Sequence, residues 1–315
     1  MKNFALIGAA GYIAPRHFKA IKETGNQLTA MLDKSDSVGI IDSYFPDAAF
    51  FTEAERFDRH LYRCFRETNN SKIDYLSICS PNYLHDAHIR MALRNGANAI
   101  CEKPLVLNPW NLDGLEKIEQ ETGKQIYHIL QLRLHPAVIE LKKQIDNQKD
   151  DKIFDIDLTY ITSRGTWYLY SWKADIEKSG GITTNIGSHF FDMLTYIFGE
   201  VQDIQIHHST PLTVAGFLQL KKARVRWLLS IDKNQLPKEI SSQGKTTYRS
   251  LTIDNKEFEF SDGFTDLHTL SYQNILAGNG FRIADAYQYV DLCHKVRSQQ
   301  PEGIKGECHP LLKTT

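Results

Sequence analysis

The sequence predicts an α/β protein in which an N-terminal doubly wound parallel sheet is followed by a C-terminal α+β domain built on a large, open, mostly antiparallel sheet. Three observations predict it. Short apolar runs alternate with stretches of helical period in the first third, longer segments of alternating polarity take over beyond residue 125, and no repeat or low-complexity tract interrupts either part. A chain of 315 residues, 42% hydrophobic and 24% charged, is long enough for two cores and too apolar to stay disordered.

In the first part the expected strands are FALIG (4–8), LTAMLD (28–33), AAFF (48–51), YLSICS (75–80) and NAICEKP (98–104). HDAHIRMALRNG (85–96) and WNLDGLEKIEQETG (110–123) have helical spacing, with Gly96 and Gly123 where C-caps belong. Parallel neighbours need crossover helices, so this alternation predicts a parallel sheet. The division falls near residue 125, giving a dinucleotide-binding domain over 1–124 and a substrate-binding and oligomerisation domain over 125–315. In the second, FDIDLTYITS (154–163), GFLQLKKARVRWLLSID (216–232) and SLTIDNKEFEF (250–260) read as strands with one wet face, the last turning at Asp254-Asn255. The amphipathic helix SHFFDMLTYIFG (188–199) interrupts them, and two more helices, within 264–278 and 283–298, close the chain.

Bulk properties narrow the partners. Lys and Arg number 37 against 38 for Asp and Glu, a net charge of -1, so no global field draws nucleic acid or an anionic membrane. The five cysteines, Cys64, Cys79, Cys101, Cys293 and Cys308, are scattered without CxxC spacing, which argues against a disulfide framework and a zinc site and for a reducing cytoplasm. No apolar run approaches the roughly 20 residues of a spanning helix, and FALIGAAGYIA lacks a signal-peptide cleavage pattern.

Gly8-Ala9-Ala10-Gly11-Tyr12-Ile13-Ala14 follows the first strand and opens a helix, where a dinucleotide pyrophosphate meets backbone N–H groups. Read as GxGxxG it carries Ala10 and Ile13 in the later glycine positions, so the turn alone also fits a plain strand-to-helix connection. Asp33 adds the second half of the pattern: it ends the second strand, placed to accept from the adenosine ribose hydroxyls and to repel a 2′-phosphate, which favours NAD over NADP. Ser80, Asn82 and His85 follow the fourth strand, and Glu102 and Lys103 follow the fifth, where Pro104 stops it. In such sheets ligands lie beyond the carboxyl ends of the strands. A lysine beside an oxidised nicotinamide has its pKa lowered by like charge and partial burial, which prepares it as a base for alcohol oxidation. Farther on, Gly180 and Gly181 precede Asn185 and His189, four residues apart and so on one face of a helix.

Together the Gly8 turn, Ser80-Pro81-Asn82 with His85, Glu102-Lys103-Pro104, and Gly180-Gly181 with Asn185 and His189 resemble the glucose-fructose oxidoreductase and inositol dehydrogenase (Gfo/Idh/MocA) family. The resemblance implies a Rossmann domain, hydride transfer on sugars or polyols with NAD or NADP, Lys103 as the shared catalytic lysine, and a tetramer or dimer. Where members commonly carry Asp four residues before the histidine, this chain has Asn185; an amide cannot take a proton, so the base is Lys103 or His189. More narrowly, residues 163–194, QLRLHP (131–136) and GFTDLHTLSYQNILAG (263–278) are similar to bacterial UDP-N-acetyl-glucosaminuronate 3-dehydrogenases of the WlbA and WbpB type, which serve surface polysaccharide biosynthesis. That likeness implies a small nucleotide-sugar substrate met by Arg133, Arg164 and Lys173, with Tyr168, Trp172 and Asn185 around it, and Gln131 beside the cofactor. Two other readings stay open: a dehydrogenase of inositol or a simple sugar, and a noncatalytic NAD-binding regulatory protein.

Overall fold

The structure is a computed structural model that describes residues 1–67, 71–148, 152–260 and 265–312. The chain forms two compact units, one of Met1–Leu134 with Phe264–Tyr287, the other of His135–Gly263 with Gln288–Thr315.

The first unit holds a six-stranded sheet of β1 (Asn3–Ile7), β2 (Gln27–Leu32), β3 (Ala49–Phe51), β4 (Tyr75–Ile78), β5 (Asn98–Cys101) and β6 (Ile126–His128), in the order β3-β2-β1-β4-β5-β6. Every pairing is parallel. Helices Ala14–Glu23, Ala54–Arg66, His85–Arg94 and Pro109–Thr122 occur among the crossovers. Covered on both faces, the central strands are almost entirely buried, hence their continuous apolar runs. Gly123 caps its helix at φ 64°, as its position predicts. Because β1 and β4 are neighbours while the chain proceeds outward from them in opposite directions, the topological switch point lies between them.

Two features of this unit differ from expectation. The segment around residue 126 supplies the edge strand of the first sheet, and the helix Leu267–Leu276 returns to the same core, where Tyr272 and Ile275 join Phe4, Phe18 and Leu28. The single cut expected near 125 is therefore a later crossing, after Leu134, plus a return. A short apolar strand reads alike in either sheet, and the pattern of a buried helix does not say which core it joins. Gly263 and Phe264, part of the stretch that suggested this helix, lie outside the described residues. The helix Ala54–Arg66 was not among the expected elements, although Phe57, Leu61 and Cys64 give it a buried stripe of helical spacing.

The second unit is built on β7 (Phe154–Thr162), β8 (Val201–Ser209), β9 (Thr213–Leu220), β10 (Ala223–Ser230), β11 (Thr247–Ile253) and β12 (Lys256–Glu257), ordered β12-β11-β7-β10-β9-β8. Antiparallel pairing prevails, with β7 and β10 the parallel pair. That pair exists because helices over 167–198 separate β7 from the β8-β9-β10 meander that brings β10 back beside it. The segment expected as one strand over 216–232 is the β9–β10 hairpin, reversing at Lys221 and Lys222. Asp254 and Asn255 take φ values of 49° and 62°, the left-handed pair that a tight hairpin between β11 and β12 requires. The helix Gly187–Phe198 is buried along nearly its whole length. A Cβ on Gly187 would meet Leu229 and Phe191 at 2.9 Å, so glycine lets this helix lie close on β10.

Candidate active site

The predicted cofactor residues of the first unit gather at the carboxyl ends of its strands. Gly8 leaves β1 at φ 90°, and a Cβ there would sit 2.5 Å from the carbonyl oxygen of Cys79 at the end of β4. Only glycine permits that approach, and the turn it makes closes with Gly11 N–H donating to Gly8 O at 3.0 Å. No side chain caps the helix Ala14–Glu23 that follows. Ala10 N–H donates to Asp33 Oδ2 at 2.9 Å and Ser35 N–H to Oδ1 at 2.9 Å, so Asp33 is fixed beside the glycine turn while each oxygen keeps acceptor capacity. Tyr12 is exposed, Ile13 is half-buried at the helix start, and Gln131 lies in the short turn after β6.

Beyond β4, Ser80 and Asn82 are buried, and His85 is 1% exposed. His85 ties two loops together, Nδ1 to Pro104 O at 2.6 Å and Nε2 to Ser80 O at 2.8 Å. Burial lowers its pKa, and the two carbonyl acceptors pull the other way by favouring an N–H at each nitrogen. Beyond β5, Lys103 is half-buried, and its backbone N–H donates to Glu102 Oε2 at 3.2 Å.

Glu102 itself turns inward. Its Oε1 is 3.0 Å from His17 Nε2 and 2.8 Å from His268 Nε2, and His17 Nδ1 is 2.7 Å from the Tyr272 hydroxyl, which lies 2.6 Å from Ser77 Oγ. Sequence reasoning missed His17, His268 and Tyr272. His17 follows the glycine turn on an otherwise apolar helix face, and that placement was the available signal. Arg133, expected to meet substrate, is ion-paired within this unit: Nη1 donates to Asp285 Oδ1 at 2.6 Å, and its guanidinium lies over the Phe281 ring at 5.2 Å.

In the second unit the expected single helix carrying Asn185 and His189 is two, Gly181–Asn185 and Gly187–Phe198, broken at Ile186. Between Ile182 and Thr195 every residue is buried except Asn185 and His189, which form a half-exposed polar window in an apolar stretch. Asn185 Nδ2 donates to the Tyr168 hydroxyl at 3.2 Å; Tyr168 is 3% exposed, and burial raises its pKa, keeping the phenol protonated. Nearby in sequence, Lys173 Nζ lies 5.6 Å from the Trp167 ring centroid and 5.9 Å from that of Trp172, and burial, then Arg164, lowers its pKa. Arg164 is exposed.

A six-stranded parallel sheet in this order, with a glycine turn at the switch point and a carboxylate ending β2, defines an NAD-binding Rossmann unit. Profiles of an oxidoreductase family match both units, its NAD-binding Rossmann fold over residues 2–129 and its C-terminal alpha/beta domain over 142–232. The chain belongs to this Gfo/Idh/MocA oxidoreductase family. It is 49% identical to the WlbA (WbpB) dehydrogenase of Thermus thermophilus, with 98% of this chain and 99% of that one covered and a TM-score of 0.95 for the complex with NAD and α-ketoglutarate. The same Thermus protein solved with NAD and UDP-GlcNAcA gives 0.94. Inositol 2-dehydrogenase of Rhizobium meliloti (strain 1021) is 29% identical over 63% of this chain and 55% of its own length, so the chain spans about half the length of this curated relative.

Proposed function

We propose that the protein oxidises the C3 hydroxyl of UDP-N-acetyl-glucosaminuronic acid (UDP-GlcNAcA) to the 3-keto sugar with NAD as cofactor. The observation that carries this reading is the 49% identity, along 98% of the chain, to a dehydrogenase solved with NAD and UDP-GlcNAcA. Residues suited to the chemistry stand at Lys103, Asn185 and His189.

Gly8, Ala10, Gly11, Tyr12 and Ile13 hold the pyrophosphate, Asp33 the adenosine ribose, and Ser80, Asn82, His85, Glu102 and Gln131 border the rest of the cofactor. Bound NAD supplies the hydride acceptor. The alcohol must lose its O–H proton as it is oxidised, and Lys103, as the free amine, takes it, with His189 the second acceptor in this reading. Asn185 cannot take a proton; it donates to Tyr168 O, which leaves the Tyr168 hydrogen for a substrate oxygen. Arg164 and Lys173 supply positive charge for the diphosphate and carboxylate, while Trp172 and Tyr168 offer flat faces. Arg133, also in that set, shares its charge with Asp285. In this reading the enzyme works in the cytoplasm as a homo-tetramer or dimer, in the synthesis of diacetamido-uronic acid sugars for surface polysaccharide such as O-antigen. No helix among the described residues is long and apolar enough to cross a membrane.

A second reading, favoured by the likeness to inositol 2-dehydrogenase, is oxidation of inositol or a simple sugar. Purified protein mixed with NAD+ and either UDP-GlcNAcA or myo-inositol separates the two. Reduced nicotinamide should accumulate with the nucleotide sugar, and UDP alone should bind. Reduction with myo-inositol only, without UDP binding, overturns the proposal.

A further inference from the structure

Ser80 is held at two of its polar atoms by one helix. His85 Nε2 lies 2.8 Å from the Ser80 carbonyl oxygen, and His88 Nδ1 lies 2.8 Å from the Ser80 hydroxyl. Three residues apart on the helix His85–Arg94, the two rings share one face. The chemistry above gives His88 no role. Ser80 is buried, and among the described residues His88 is the one hydrogen-bond partner of its hydroxyl. A hydroxyl offers one donor and two acceptor positions, so Ser80 keeps capacity for a further bond. Burial, and then His85, lowers the pKa of His88 from 6.5 to about 4, so the ring is neutral at pH 7 and holds a single N–H. In either tautomer one hydrogen lies between Nδ1 and Oγ, which fixes the oxygen in place.

Strand order says what Ser80 faces. β2, β1, β4 and β5 are neighbours in that order, and the segments leaving their carboxyl ends carry Asp33, the glycine turn, Ser80 and Lys103. In the reading above, the first meets the adenosine ribose, the second the diphosphate and the last the reacting end of the nicotinamide. Between diphosphate and nicotinamide a dinucleotide has its second ribose, and with strands about 4.8 Å apart Ser80 falls one step from each. Its backbone nitrogen abuts the glycine turn, since a Cβ on Gly8 would come within 2.8 Å of it. A ribose hydroxyl both donates and accepts, so it suits Ser80 in either tautomer of His88. We propose that His88 is a positioning residue that fixes the Ser80 hydroxyl for the nicotinamide-side ribose of the cofactor. This rests on the reading of Ser80 as a cofactor residue.

The test is equilibrium binding of NAD+, ADP-ribose and ADP to the full chain, to Ser80→Ala, to His88→Leu and to the double variant. Each single variant should weaken NAD+ and ADP-ribose about fivefold and leave ADP, which lacks the second ribose, as it was. The double variant should bind no more weakly than Ser80→Ala alone, because His88 acts through the hydroxyl. His88→Asn, whose amide can take the place of Nδ1, should recover most of the affinity. Losses that multiply in the double variant overturn the proposal, as does weakening of ADP in step with the other two ligands. Weakening of NAD+ alone would put Ser80 at the nicotinamide ring and overturns it too. Should His88→Leu fail to fold, His88→Gln, whose amide reaches the Nε2 position instead, is compared with His88→Asn; equal affinities there are equally fatal. If Ser80→Ala binds NAD+ like the parent, the reading of Ser80 as a cofactor residue fails as well; if it binds weakly while His88→Leu binds like the parent, only the role of His88 falls.

Discussion

His309 ties stability to pH through two hydrogen bonds. Its Nε2 donates to Thr159 Oγ1 at 3.0 Å, and its Nδ1 accepts from Leu311 N–H at 3.2 Å. Burial lowers its pKa from 6.5 to about 4, and a second proton on Nδ1 would set donor against donor. A folded pKa below the unfolded one means this contribution is complete above about pH 6.5 and is lost as pH falls toward 4. For this group alone the loss at pH 5 is about 2 kcal/mol. His309→Gln should thus lose less unfolding free energy between pH 7 and 5 than the parent in denaturant titrations, by roughly that amount; identical pH slopes would contradict it. Lys103 and the Asn185–His189 pair were singled out from sequence by residue type alone, and their roles are the ones proposed above. His17 and His268 were not, since they lie 85 and 166 positions from the carboxylate they bond, and a histidine on a helix face has the same spacing whether buried or wet. The ion pair of Arg133 was not legible for a similar reason: its partner, Asp285, comes 152 positions later in a returning segment.

Among elements, those with a strong local signal were the ones legible in advance. β1, β4 and β5 are apolar runs bounded by turn residues, and the Asp254-Asn255 hairpin announces itself through residues that tolerate positive φ. The β9–β10 hairpin merged into one expected strand because Lys221 and Lys222 carry no turn chemistry. The glycine turn is the element on which the cofactor unit depends, and it can be tested directly. Gly8→Ala adds a Cβ at φ 90° against Cys79 O, which should cost on the order of 2–5 kcal/mol in denaturant unfolding and weaken NAD binding. Gly25→Ala, at φ 72° with open space around the new Cβ, should cost only the backbone strain, about 1 kcal/mol. Equal costs at the two positions would mean the close approach of β1 to β4 is not what requires Gly8.

At the scale of the whole molecule, the two-part fold and its order were legible, while the interleaving was not. Periodicity reports which face of an element is apolar and leaves open which of two cores receives it, so the return of Leu267–Leu276 to the first unit could not be read ahead. That return supplies His268 and Tyr272 to the Glu102 cluster, so the last part of the chain helps to build the unit that its first part begins.

The proposed chemistry has the Lys103 amine accept the proton of the alcohol being oxidised. Its most direct test is to measure, for Lys103→Ala and the parent in parallel, turnover of UDP-GlcNAcA and affinity for NAD+. Turnover should fall by about 10²–10⁴-fold while NAD+ affinity stays within a few-fold. Undiminished turnover by the variant would contradict it.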